Sequence, residues 1–257
     1  MAPIPNKTKE ELYIENLQDI KEIFDRHRIE FWLDTGTLLG AVREGKILSW
    51  DDDDVDLSLK EVEHRKLPST FAEFKERGFI INEVPVPLSD LDKSYRRFSL
   101  SRSGYIIDIF SYFLKDNDWL SFVSGWNFGQ SLLMKVYSKI LWFVWRILCS
   151  AEINFQSKIK RFFGNIIKFL LMLSPNNFKR FLFNKTGKKL RQLTVMLVIP
   201  RHHFENLEKI KYYDMDFNVP ADTENYLNYR YGKDWRTPKN NWNWVKDDGS
   251  VKPYLRS

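Results

Sequence analysis

An α/β (α+β) fold is predicted by three observations: helix-spaced apolar residues near the start, a period-two run around position 55, and a glycine turn between two apolar runs near position 104. The 257 residues suit one sizeable domain or a domain with an appendage, and 43% hydrophobic with 16% aromatic residues predicts a packed core. Disordered and disulfide-scaffold classes are excluded, since the single cysteine, Cys149, permits no internal bridge.

Thr8 with Glu11 three positions later has the form of a capping box, and Tyr13, Leu17, Ile20 and Phe24 follow at helical spacing, so the first element is an amphipathic helix. Ile29 to Leu33 reads as a short strand, Asp34-Thr35-Gly36-Thr37 as a tight turn, and Leu38 to Arg43 as the start of a helix that ends by Gly45. Val55, Leu57 and Leu59 alternate with Asp56, Ser58 and Lys60 on a strand. Helical material with Pro68 near its start runs to Arg77, and Phe79 to Val84 is a strand. Tyr95 to Ser101 and Tyr105 to Phe113 flank the hairpin signal Ser103-Gly104. Near the end, a strand pair spans Lys209 to Val219, and Asp222 caps a helix running to Tyr231, with Gly232 after it.

The run Asp51-Asp52-Asp53-Asp54-Val55-Asp56 sets five carboxylates in six positions of a chain whose net charge is +6. Neighbouring carboxylates repel by about 1 kcal/mol per pair in water and more near a protein surface, so a fold that gathers them wants a divalent cation. An all-oxygen set suits Mg²⁺ or Mn²⁺. Asp54 and Asp56 lie two apart on a strand and project on one face. Asp108, among Ile106, Ile107, Ile109 and Phe110, is costly to bury unless paired or bound to a cation, and it reaches the same place if its strand neighbours that of Asp56. Gly36 and Thr37 at a helix start present an amide and a hydroxyl to a phosphate. Together these residues describe phosphoryl transfer with metal ions on the attacking and leaving oxygens. An EF-hand counted from Asp52 fails because Leu57 stands where that loop turns on glycine.

Charge is uneven. Thirteen Lys and Arg between Gln130 and Arg191, opposed only by Glu152, make that segment near +12 and the remainder near −6. Its apolar stretches, Ser131 to Cys149 and Phe162 to Leu173, are interrupted by Lys and Arg and are too charged for membrane spans. Such helices suit an anionic membrane surface; the alternative is an appendage packed on the core with a solvated basic face. No recognition motif supports nucleic-acid binding.

Phe31 to Arg43, Ile47 to Trp50 with the Asp run, Ile107-Asp108-Ile109-Phe110, Val219-Pro220, Tyr226-Leu227 and Tyr231 to Trp235 together resemble the LicD family of phosphocholine transferases, which includes fukutin-type transferases of phospho-alditols. The resemblance covers both ends of the chain and fades between about Gly125 and Leu193. It implies a nucleotidyltransferase-like small mixed sheet flanked by helices, to which the charge distribution adds a basic helical insert. The implied division is a catalytic core over 1–124, an insert over 125–193 and a part completing the core over 194–257. It implies a CDP-activated alcohol donor and a glycan hydroxyl as acceptor. Carried over, Asp54 and Asp56 are metal ligands, Asp108 is a third ligand or the acceptor's base, Asp52 joins them, and Arg43 contacts phosphate. The family usually has three aspartates after the Trp and this chain has four, so Asp51, Asp52 and Asp53 all remain candidates to face the metal. Trp235, Trp242 and Trp244, beside Arg230 and Arg236, form a donor pocket or pin the tail to the core. The site chemistry also fits a nucleotidyltransferase or an Asp-x-Asp glycosyltransferase, and the basic insert fits a non-catalytic membrane module. With no basic and apolar leader at Met1 to Lys9, the expected location is cytoplasmic, peripheral at the inner face of a membrane.

Overall fold

The computed structural model describes residues 7–48, 54–85, 96–126, 132–149, 158–239 and 241–253. The first elements are α1 (Lys9–Arg26), β1 (Trp32–Leu33), α2 (Thr35–Arg43), β2 (Asp54–Lys60), α3 (Glu61–His64), α4 (Phe71–Glu76), β3 (Ile80–Pro85), β4 (Arg96–Arg102), β5 (Tyr105–Lys115) and β6 (Asp118–Trp126). There follow α5 (Leu132–Cys149), α6 (Lys158–Leu173), α7 (Asn176–Leu193), β7 (Thr194–Pro200), β8 (Leu207–Tyr212), β9 (Met215–Pro220), α8 (Thr223–Tyr231), α9 (Trp244–Asp247) and β10 (Val251–Pro253). The chain divides into two compact units. One holds the described residues of Met1–Glu83, Arg97–Phe122 and Leu197–Ser250, the other those of Val84–Arg96, Val123–Met196 and Val251–Ser257.

In the first unit the sheet runs in the order β6-β5-β2-β1-β9-β8. It is mixed: β1 is antiparallel to β2 and parallel to β9, and β2 is parallel to β5. β5 is long enough for two antiparallel partners, β4 against Tyr105 to Ile109 and β6 against Phe113 to Lys115. The predicted hairpin is the first of these, with Ser103 and Gly104 both at positive φ. β6 and β7 were not anticipated from the sequence.

The capping box at Thr8 is present, and α1 buries Tyr13, Leu17, Ile20, Ile23 and Phe24 against the sheet unit. Phe24 meets Phe31 and Phe74 edge-on at 5.1 and 5.8 Å. α2 starts earlier than the sequence indicated, at Thr35, because Asp34 supplies the cap directly after a strand of two residues. Asp222 caps α8, and Gly232 follows it at φ 86°.

Gly249 is required for space rather than backbone freedom, since a Cβ there would sit 2.2 Å from the Tyr229 carbonyl oxygen. Gly249→Ala is expected to cost about 2 kcal/mol through this overpacking, read as a fall in the thermal midpoint.

His64 is buried and its Nδ1 lies 2.7 Å from Ser111 Oγ. Burial, helped by the Arg65 charge, lowers its pKa to about 4. The folded pKa lies below the ordinary value of about 6.5, so neutral His64 contributes stability above pH 6.5 that is lost as pH falls toward 4. Replacing it with Asn should flatten the slope of unfolding free energy against pH in that window, measured by urea titration at several pH values.

In the second unit α5 and α7 pack together, with Trp145 and Phe183 rings 4.6 Å apart and Trp145, Ile147 and Leu190 buried.

Candidate active site

The parallel register of β2 and β5 sets Asp56 opposite Asp108, and Asp54 opposite Ile106. Partners in a parallel pair point to the same face, and neighbouring strands lie about 4.8 Å apart. Asp54, Asp56 and Asp108 therefore share one face, and all three are half-buried. Asp51, Asp52, Asp53 and Trp50 lie outside the described residues.

The β1–α2 turn closes on Asp56. Its carboxylate accepts from the Thr35 hydroxyl and from the Gly36 amide at 3.1 Å. Its backbone N–H donates to Thr37 Oγ1 at 2.8 Å, and its carbonyl accepts from Asp34 N–H at 3.2 Å. Thr35 takes φ 44°, a left-handed value that is strained for a β-branched residue and is held by these bonds and by Asp34. The Gly36 amide and Thr37 hydroxyl, expected to meet a phosphate, thus both have partners within the fold. Thr37 is buried, and Tyr13, whose phenol pKa burial pushes well up, lies behind it.

Asp34 is fully buried and caps α2, with Thr35 N–H 2.7 Å from Oδ1. Ser58 Oγ, Tyr112 and Tyr226 donate to it, and Arg230 approaches at 3.1 Å. Arg230 also donates to Asp248, which accepts from Ser250 N–H and Oγ at 2.8 and 2.6 Å. Burial and then the Asp34 charge push the Tyr112 and Tyr226 phenols far above their usual range, so they remain donors. Burial opposes the Arg230 charge, but Asp248, with Asp34 among the other contributors, outweighs it and raises its pKa. Asp34 is therefore a structural hub, and Arg230 belongs to it rather than to an aromatic platform.

A cavity of about 90 Å³ opens at Gly36, whose amide bonds Asp56, and is lined also by Arg43, Tyr231, Trp235, Lys239 and Trp242 among others. The Arg43 guanidinium donates to the Trp235 carbonyl at 3.2 Å and to Glu44 at 2.9 Å. Trp235 is buried, so it anchors the tail while contributing to the wall. Lys239 pairs with Asp234 at 2.9 Å and sits over the Trp242 ring. A cleft of about 660 Å³ adjoins, sharing Tyr231, Lys239 and Trp242.

Arg97 was not singled out from the sequence, and it lies 2.6 Å from Asp108 and over the Phe110 ring. The signal was the hairpin register: counting back from Ser103-Gly104 sets Ser99 opposite Asp108 and Arg97 diagonal to it.

The donor set fits a hard divalent cation, being carboxylate oxygens from adjacent strands. Among the described residues, no three metal-ligating side chains already converge on one point. Asp56 is held by α2 and Asp108 by Arg97, so a cation would compete with Arg97 for Asp108.

A mixed sheet with carboxylates on two adjacent parallel strands beside a helix start is a nucleotidyltransferase-like arrangement. Residues 28–136 match the family described as LicD/FKTN/FKRP, nucleotidyltransferase domain. Over this span the chain is similar to the LicD/fukutin-type family. It is 30% identical over 66 residues to an uncharacterized protein of Rickettsia prowazekii, covering 26% of this chain and 24% of that one. It is 33% identical over 69 residues to human ribitol-5-phosphate transferase FKTN, covering 27% of this chain and 13% of that one. The matched span is thus a quarter or less of these relatives' length. Among solved structures, ANT(2")-Ia in complex with adenylyl-2"-tobramycin is 11% identical with a TM-score of 0.30, covering 69% of this chain and 98% of that one.

Proposed function

We propose that the chain is a transferase that moves a phospho-alcohol from a CDP-activated donor to a hydroxyl of a cell-surface or lipid-linked glycan. The observation that carries this is the register of Asp56 against Asp108, beside a cavity lined by Gly36, Arg43 and Trp235. The matching family and the fukutin relative support the phospho-alcohol class.

In this reading Asp54, Asp56 and Asp108 would hold Mg²⁺ or Mn²⁺, joined by Asp52 from the preceding run. The cation, when bound, neutralises charge on the phosphates of the donor. The aromatic wall of Tyr231, Trp235 and Trp242 receives the cytosine, and Arg43 with Lys239 faces the diphosphate. The acceptor oxygen bonds to the phosphorus that carries the alcohol. The bond from that phosphorus to the bridging oxygen breaks, CMP leaves, and the acceptor proton passes to Asp108 or to water. Arg97, 2.6 Å from Asp108, would be a further donor for the phosphate in transfer.

The test is product analysis with CDP-choline, CDP-ribitol and related donors, with and without Mg²⁺. CMP release with the phospho-alcohol on the acceptor is the expected result. Released pyrophosphate would assign nucleotidyl transfer, and a released nucleoside diphosphate would assign a glycosyltransferase. Donor binding that ignores both Mg²⁺ and the Asp54, Asp56 pair would sink the transferase reading.

A further inference from the structure

α6 carries two apolar faces and the second unit uses one. Gly164 is buried, and Ile167 and Leu171, on the same side, are partly covered. Phe162, Phe163, Ile166, Phe169, Leu170 and Leu173 fall at spacings of three and four on another side and are 41 to 70% exposed. Phe178 and Phe181, in the first turns of α7, add two exposed aromatic rings. A soluble surface seldom spends this many large apolar side chains in one stripe unless something covers them.

The surrounding charge identifies the cover. Residues 158–193 hold ten Lys and Arg and no Asp or Glu. Arg161 and Arg180 are solvent-facing, close in sequence to the exposed rings. A second copy of the chain would bring like charge against like charge. A lipid surface with anionic headgroups offers acyl chains for the stripe and counter-charge for the bases together. Among the described residues no helix is long and apolar enough to cross a membrane, so α6 is suited to lie in the interface plane.

We infer that α6, with the first turns of α7, docks the chain on an anionic lipid bilayer, the stripe Phe162, Ile166, Phe169 and Leu173 entering the headgroup and acyl boundary. This holds whatever reaction the carboxylate site performs. Under the proposed transfer it places the enzyme on the surface that carries a lipid-linked acceptor and fixes a peripheral location.

The experiment is co-sedimentation of the full chain with phosphatidylcholine vesicles, with and without phosphatidylglycerol, at low and high salt. Binding is expected to require the anionic lipid and to weaken with salt. The triple variant Phe162→Ser, Phe169→Ser, Leu173→Ser should retain the native melting curve, since these side chains are exposed, and bind at least about tenfold more weakly. Asp56→Asn should bind vesicles as the native protein does, which separates failure of this inference from failure of the transfer reading. Equal binding to neutral vesicles, unchanged binding by the triple variant, or no vesicle binding with a native dimer that the triple variant splits in light scattering would each overturn it.

Discussion

Under the proposed transfer, Asp56→Asn is expected to lower the rate of CMP release by about a thousandfold or more while leaving the protein folded. Asn keeps the shape of Asp, and its carbonyl oxygen can still accept from the Thr35 hydroxyl and the Gly36 amide, so the clamp between β2 and α2 survives. The negative charge that Asp56 holds opposite Asp108 does not survive. In the proposed mechanism this loss would weaken cation binding and the stabilisation of the departing CMP, and each tenfold in rate corresponds to about 1.4 kcal/mol. The measurement pairs turnover at several Mg²⁺ concentrations with a melting curve of the same sample. A native-like rate at saturating Mg²⁺ would show that Asp56 is only the anchor for α2. A rate lost together with the melting transition would assign the defect to folding, and Asp108→Asn, which frees Arg97 without touching α2, would then carry the question.

The elements legible in the sequence are those governed by near neighbours. β2 announces itself by alternation, the β4–β5 hairpin by Ser103-Gly104, and α1 and α8 by Thr8 and Asp222. The parallel contact of β2 with β5 was legible only as a condition on Asp108, because nothing local in either strand states which strand will be its neighbour. β7 is a continuous apolar run directly after α7, where periodicity cannot separate a buried strand from more helix. The start of α2 shows the subtler failure. The sequence identifies a helix start with donors to spare, but the partner that fills them is Asp56, supplied by tertiary structure. The cavity lining was half visible: Arg43 and Trp235 were singled out separately, and the bond from the Arg43 guanidinium to the Trp235 carbonyl is what joins them.

Arg230 was the least legible residue, since its partners lie 18 and 196 positions away, and it carries the largest expected stability effect. Its guanidinium is 4% exposed and lies between Asp34 and Asp248, both buried. An intact buried ion pair gains little over a well-packed apolar substitute, because desolvation offsets attraction. Removing one partner is different, for the remaining charges stay buried without compensation. Arg230→Met is therefore expected to cost about 3–5 kcal/mol in urea unfolding, with an unchanged m-value. Arg230→Met combined with Asp248→Asn should cost less than the sum of the two single changes, because the second relieves the charge stranded by the first. The same substitution reaches the reaction through Asp34, which caps α2 and holds Thr35 in its strained conformation against Asp56. Turnover at temperatures well below the melting transition should fall with it, although Arg230 touches neither carboxylate of the β2–β5 pair. Full stability in Arg230→Met would mean that the tyrosine and serine donors around Asp34 and Asp248 suffice to hold both carboxylates in the core.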